Sequence, residues 1–171
     1  MKIRKTKIED IEKVLDLFNM ARFYFKENNI NQWQGEYPNE IDIIEDINSG
    51  ISYVVVDDDI VATFVLSFEK DVNYDVLVEG KWLNENPYGV LHRIAVKDNL
   101  KGKGIGSFIF NESKNICLEN NVFDIRVDTH DDNESMKKLI LKNNFVYCGI
   151  TTVQDGSLRN IYQLSFWVLI W

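Results

Sequence analysis

Metal-ligating and thiol side chains are scarce in this chain. It has two histidines, His92 and His130, and two cysteines, Cys117 and Cys148, in 171 residues. The cysteines are far apart and form no C-x-x-C pair. A zinc cluster therefore has no support, and two reduced, semi-buried thiols are expected instead. Positive charge is also short. The 19 Lys and Arg stand against 27 Asp and Glu, for a net charge of -8. That balance argues against non-specific binding to nucleic acid or to an anionic membrane. Long apolar runs are missing: Phe166–Trp171, near the C-terminus, is much too short to span a bilayer. The first ten residues, MKIRKTKIED, lack a hydrophobic signal segment, so a cytoplasmic protein is expected. No internal repeat, low-complexity tract or linker interrupts the chain, and residues 1–171 are expected to form one domain.

What is present is enough for a core. Hydrophobic residues make up 45% of the chain, which excludes global disorder. Met1 to Lys5 reads as a short strand. Thr6 to Glu9 has the spacing of a capping box, and the helix after it carries Ile11, Val14, Leu15, Phe18, Ala21 and Phe25 on one face. Asn31 to Pro38 is a loop, and Asn39 can cap a second helix with Ile41, Ile44 and Ile47 inward. Two β-rich runs, 51–56 and 60–68, form a hairpin around Asp57-Asp58-Asp59. A long polar connection follows, with some strand character at Val76-Leu77-Val78. Strands are then expected at 87–96 and 123–128, a helix from Asp132-Asn133 to Asn143-Asn144, and two last strands, 145–153 and 158–168. Hairpins and helical crossovers both occur, so the sheet should be mixed and the class α+β.

The most informative stretch is Leu91 to Phe110. Leu91 to Val96 reads as a strand. Lys97 to Gly106 is a turn holding Gly102, Gly104 and Gly106 with Lys97, Lys101 and Lys103. From Ile105 the apolar period becomes helical. A strand that passes through a basic, glycine-rich turn into a helix N-terminus is an anion site. The first helical N–H groups have no intrahelical partner, the dipole end is positive, and glycine lets a phosphate approach the main chain. A dinucleotide or ATP loop fails on spacing. A Gly-x-Gly-x-x-Gly pattern begun at Gly102 puts Ser107 at its last glycine, and one begun at Gly104 puts Ile109 there. The Walker A sequence is absent.

Lys101-Gly102-Lys103-Gly104-Ile105-Gly106 resembles the Arg/Gln-x-x-Gly-x-Gly/Ala acyl-CoA signature of the GNAT superfamily of N-acetyltransferases, with Lys101 where Arg or Gln is usual. The preceding strand Arg93-Ile94-Ala95-Val96 is placed as in that family. The later helix, Asn133-x-x-Met136-x-x-Leu139 to Asn144-Phe145, looks like the family's Asn-x-x-Ala-x-x-Leu-Tyr-x-x-x-Gly-Phe. The order of elements matches over nearly the whole chain. The resemblance implies a GNAT-like fold of about seven strands, largely antiparallel with a central splayed parallel pair, and four helices. It also implies acetyl-CoA (CoA) as cofactor. Main-chain groups of Ile94, Ala95 and Val96 would line the pantetheine arm, N–H groups of Lys101, Gly102, Lys103, Gly104, Ile105 and Gly106 would hold the pyrophosphate, and the Asn133 side chain would bond the cofactor. The tyrosine that often protonates the departing thiolate in this family falls at Ile140, which cannot donate a proton.

Acyl transfer to an amine requires loss of a proton from nitrogen and donors for the developing oxyanion. By resemblance the Ile94 N–H is the oxyanion donor. His92 is the candidate base, because it shares strand parity with Ile94 and Val96 and its ordinary pKa of about 6.5 lies near working pH; packing on a sheet face is the other reading. His130, flanked by carboxylates, suits a surface or capping role better than catalysis. Tyr88 is an acid or a pocket wall. Trp33, Glu36 and Tyr37 could bind a cationic acceptor by cation–π and charge attraction, or the aromatics could pin their loop. The expected acceptor is a small-molecule or peptide amine. A non-catalytic acyl-CoA-binding module of the same fold is the alternative. The apolar C-terminus is read as a homodimer edge or as an exposed apolar end.

Overall fold

The computed structural model describes residues Met1 to Phe166. The expected C-terminal edge at Trp167–Trp171 lies outside them. Among the described residues there are eight strands and four α-helices: β1 (Lys2–Lys5), α1 (Ile11–Glu27), α2 (Glu40–Asn48), β2 (Ser52–Asp57), β3 (Asp59–Ser67), β4 (Leu77–Gly80), β5 (Gly89–Val96), α3 (Ile105–Glu119), β6 (Asp124–Thr129), α4 (Glu134–Lys142), β7 (Val146–Thr152) and β8 (Leu158–Ser165). No helix among them is long and apolar enough to cross a membrane. The described residues form two compact units, Met1–Leu66 with His92–Glu112, and Ser67–Leu91 with the described residues from Ser113 onward.

In the first unit β1 pairs antiparallel with β2, and β2 with β3. The β2–β3 turn is tight because Asp58 takes a φ of 63°, a conformation that Asp tolerates better than most residues. The core of this unit joins Val14, Leu17, Phe18, Ala21 and Phe25 of α1 to Ile30, Ile43, Val54, Ile60 and Ala95. Two expectations shift here. Thr6 does not cap a helix; its buried hydroxyl bonds Ser52 (2.7 Å). Asp10 closes that turn instead, accepting the Lys7 N–H (2.8 Å) and a two-pronged contact from Arg4. On α2, Asn39 accepts the Ile41 and Asp42 N–H groups as expected. The inward face, however, carries Ile43 and Asp46, and Ile41 is exposed. The helix is rotated so that Asp46 meets Arg93.

In the second unit the order is β5-β6-β8-β7-β4. β5 and β6 form the parallel pair, with Gly89 opposite Ile125 and Val90 opposite Arg126. β6–β8, β7–β8 and β4–β7 are antiparallel. β4 is the strand beyond the seven expected. Its pairing requires close approach at two glycines: a Cβ on Gly80 would sit 2.0 Å from the Cys148 carbonyl oxygen, and one on Gly149 would sit 2.1 Å from that of Glu79. Cys117 and Cys148 are both free and buried, and burial pushes the Cys117 thiol up to about 12.

Candidate functional site

The first unit contains the turn between β5 and α3. Gly102 (φ 77°) and Gly104 (φ 89°) both lie in the left-handed region, which the chain needs in order to leave one 3-10 turn, Asp98–Leu100, and enter α3. A Cβ on either glycine would meet no atom within 4 Å, so the space above both is open. The first intrahelical bond runs from the Phe108 N–H to the Gly104 carbonyl (2.9 Å). The N–H groups of Gly104, Ile105 and Gly106 precede it and face the N-terminal end of a 15-residue helix, where the dipole is positive. Gly106 itself lies within the first turn of α3. Lys101 is tied to Asp98 (2.6 Å) and lies 3.7 Å over the Tyr24 ring. Lys97 pairs with Asp59. Lys103 is exposed.

β5 is not a regular strand. Arg93 has a φ of 52°, a strained conformation for a residue with a long side chain. Neighbours hold it there. The guanidinium pairs with Asp46 and lies 3.8 Å from Asp42, and its Nε–H donates to the Tyr37 hydroxyl (2.7 Å). A left-handed residue inside a strand breaks the alternation of side chains, so the parity assumed for His92, Ile94 and Val96 is interrupted at Arg93. Ile94 and Ala95 are both buried.

His92 differs from the sequence expectation in its basicity. Its Nε2 is enclosed and has no hydrogen-bond partner among the described residues. Burial, with a smaller contribution from the Arg93 charge, pushes its pKa down to about 3, since a desolvated site disfavours the cation. The imidazole is therefore neutral throughout the physiological range. This has a consequence for stability. Between pH 6.5 and 3 the unfolded chain binds a proton at His92 that the native protein refuses, so stability falls as pH falls through that window. Each pH unit costs about 1.4 kcal/mol. A His92→Phe variant should lose about 2 kcal/mol less than wild type between pH 6.5 and pH 5 in urea unfolding. Equal losses would mean that His92 titrates normally in the native protein.

The aromatics of the 31–38 loop serve mainly as anchors. Trp33 meets Phe18 and Phe25 edge-on, with centroids at 5.6 and 5.5 Å. These are the contacts of the packing alternative, in which the aromatics pin their loop. Trp33→Ala should lower unfolding free energy by roughly 2–4 kcal/mol in urea titration; a change confined to acceptor KM would contradict this assignment. Tyr37 receives Arg93, and Arg22 donates to the Pro38 carbonyl (2.6 Å). Glu36 is exposed.

The second unit holds Asn133, Tyr88 and Ile140. Asn133 is 2% exposed and caps α4: its Oδ1 accepts the Met136 N–H (3.2 Å) and the Ser135 hydroxyl (3.0 Å). Ile140 is fully buried and apolar. His130 Nδ1 accepts the Asp132 N–H (3.3 Å), a local turn contact. Tyr88 is a wall of an open cavity of about 570 Å³ that also includes Tyr74, Trp82 and Arg126. Sequence reasoning missed Arg126. It sits at an alternating position of an Asp-Ile-Arg-Val-Asp run, where polar residues are expected to face water, yet it is 3% exposed. Among the described residues, no group of three or more His, Cys, Asp and Glu side chains could hold a metal ion.

A family model described as the acetyltransferase (GNAT) family matches residues 14–145. No curated protein matches the chain in sequence. Among solved structures, an acetyltransferase of the GNAT family from Streptococcus agalactiae 2603 is 31% identical, with a TM-score of 0.86 over 98% of this chain and 95% of that one. An acetyltransferase of the GNAT family from Listeria monocytogenes 4b F2365 is 19% identical, with a TM-score of 0.73 over 96% and 94% of the two chains. An N-acetyltransferase from Staphylococcus aureus Mu50 is 18% identical, with a TM-score of 0.67 over 96% and 97%. The last two show likeness of fold.

Proposed function

The chain belongs to the GNAT acetyltransferase family, and from that premise we propose that it moves an acetyl group from acetyl-CoA to the primary amine of a small molecule or peptide. The observation that carries this reading is the turn before α3, where two left-handed glycines with open space above them lead into a 15-residue helix. Its unpaired first-turn N–H groups and dipole end suit a pyrophosphate. Lys103, which is exposed, adds positive charge there. Acetyl-CoA, bound at this turn, supplies the acetyl group as an activated thioester.

The chain's own residues then do the following. The N–H groups of Gly104, Ile105 and Gly106 bond phosphate oxygens. The Ile94 N–H, just past the irregularity at Arg93, donates to the carbonyl oxygen of the group being transferred as negative charge develops there. Glu36, exposed on the 31–38 loop, attracts the acceptor's ammonium, while the Tyr37 ring already holds the Arg93 guanidinium at 4.9 Å. Asn133 is a further cofactor ligand to be tested separately from its capping role. His92 accepts the amine's proton late. With a pKa of about 3 it cannot deprotonate a resting ammonium, but nitrogen becomes far more acidic as its bond to carbon forms, and a neutral imidazole can then take the proton. Acceptor deprotonation in the resting state is left to solvent.

Thermal shift tests the cofactor step. Acetyl-CoA and CoA at millimolar concentration should raise Tm, further as concentration exceeds Kd; no shift with either would sink the proposal. A second reading is supported by Ile140 standing where the family's proton-donating tyrosine is usual. On that reading the protein binds acyl-CoA without turning it over, and acetyl-CoA raises Tm while no amine releases free thiol.

A further inference from the structure

The cavity of the second unit contains a charge to which the described residues give no ion-pair partner. Arg126, on β6, is 3% exposed. Its guanidinium carbon lies 4.0 Å from the Trp82 ring centroid and 3.8 Å from that of Tyr88, so two aromatic rings pack against the guanidinium. Nη2 donates to the Asn84 carbonyl (2.8 Å). Nε is buried and has no hydrogen-bond partner among the described residues.

The nearby buried carboxylate is otherwise engaged. Asp124 accepts from Asn84 (2.9 Å), Asn86 (3.3 Å), Gln163 (2.8 Å) and Ser165. Glu85 is exposed and acts on Arg126 only at a distance, as does Asp124, while the Tyr88 hydroxyl lies within hydrogen-bonding range of the guanidinium. Burial outweighs all three, and it lowers the Arg126 pKa. A buried arginine without a close carboxylate is costly to the fold. It is also a preformed anion receptor, since a guanidinium matches carboxylate geometry. The volume suits a small organic molecule; Lys70 and Lys81 line the same cavity with Asp75 and Glu85, so the lysines offset the two carboxylates and Arg126 is left as the excess positive charge.

We propose that this cavity binds the carboxylate of a small organic acid, such as a free amino acid, through Arg126.

Binding of glycine and other free L-amino acids, and of their carboxamides, is followed by ligand-observed NMR without acetyl-CoA. The proposal expects saturable binding of at least one amino acid, with its carboxamide more than tenfold weaker, and loss of that preference in Arg126→Met, which keeps the stem between the rings and removes the charge. If that variant does not fold, Arg126→Lys replaces it, and should weaken the preference without removing it. Carboxamides bound as well as carboxylates by wild type would overturn the proposal, as would a preference surviving in Arg126→Met.

Discussion

Replacing Gly104 with valine is expected to abolish acetyl-CoA binding while leaving a folded protein. Two effects act at that position. The φ of 89° costs a residue with a Cβ about 1–2 kcal/mol, an amount a domain of this size survives with a lowered Tm. The valine methyl groups would also occupy the open space over the turn that a phosphate needs. The two effects can be separated at Gly50, which has a φ of 68° and equally open space but lies in the turn after α2. Gly50→Val should lower Tm yet keep the rise in Tm that acetyl-CoA gives. Gly104→Val should lower Tm and lose that rise, with Kd weakened by roughly a hundredfold or more, about 2.7 kcal/mol. A full shift retained by Gly104→Val would remove the turn from the cofactor site.

The second large effect is expected at His92. His92→Ala should reduce the acyl-transfer rate by roughly 10²–10⁴-fold, with acetyl-CoA affinity little changed. The pH profile carries the more specific expectation. A base with an ordinary pKa would give an acid limb near 6.5 and let raised pH rescue the alanine variant. Because burial pushes His92 down to about 3, the rate should instead fall only as the acceptor's own ammonium forms. His92→Ala should then shift the whole profile down without moving its inflection. An inflection near 6.5 that disappears in the variant would show that substrate binding restores ordinary basicity. An unchanged rate would take the proton path away from His92 altogether.

Sequence patterns made some parts of this protein legible and concealed others. The turn into α3 was readable because its determinants are local: glycines two apart, lysines beside them, and a change of apolar period within a few residues. The structure uses Gly102 and Gly104 for left-handed geometry and places Gly106 in the helix. The four helices also followed from local periodicity, whereas the parallel β5–β6 pair was implied by the family resemblance. β4 was harder, because Val76-Leu77-Val78 becomes a strand by pairing with β7 about 70 residues later, where Gly80 and Gly149 let the backbones meet. On α2 the expected inward set held only in part: Ile47 packs against the core, but Ile41 is exposed and Asp46 turns inward to hold Arg93. Arg93 itself gave no warning, since only glycine advertises a positive φ. Arg126 was hidden for a similar reason. Alternation assigns it to water, but β6 pairs with β5 and with β8, and a strand inside a sheet can bury both faces. A buried arginine is detectable only once the rings of Trp82 and Tyr88, distant from it in sequence, are seen beside it.

The measurement that bears most directly on the whole account is release of free thiol from acetyl-CoA in the presence of a panel of amines that includes free amino acids and their carboxamides. The account predicts thiol release that depends on both the protein and an amine, with the acetyl group recovered on the amine nitrogen. Saturable acetyl-CoA binding with no thiol release for any amine would contradict it and leave a protein that holds the cofactor without using it.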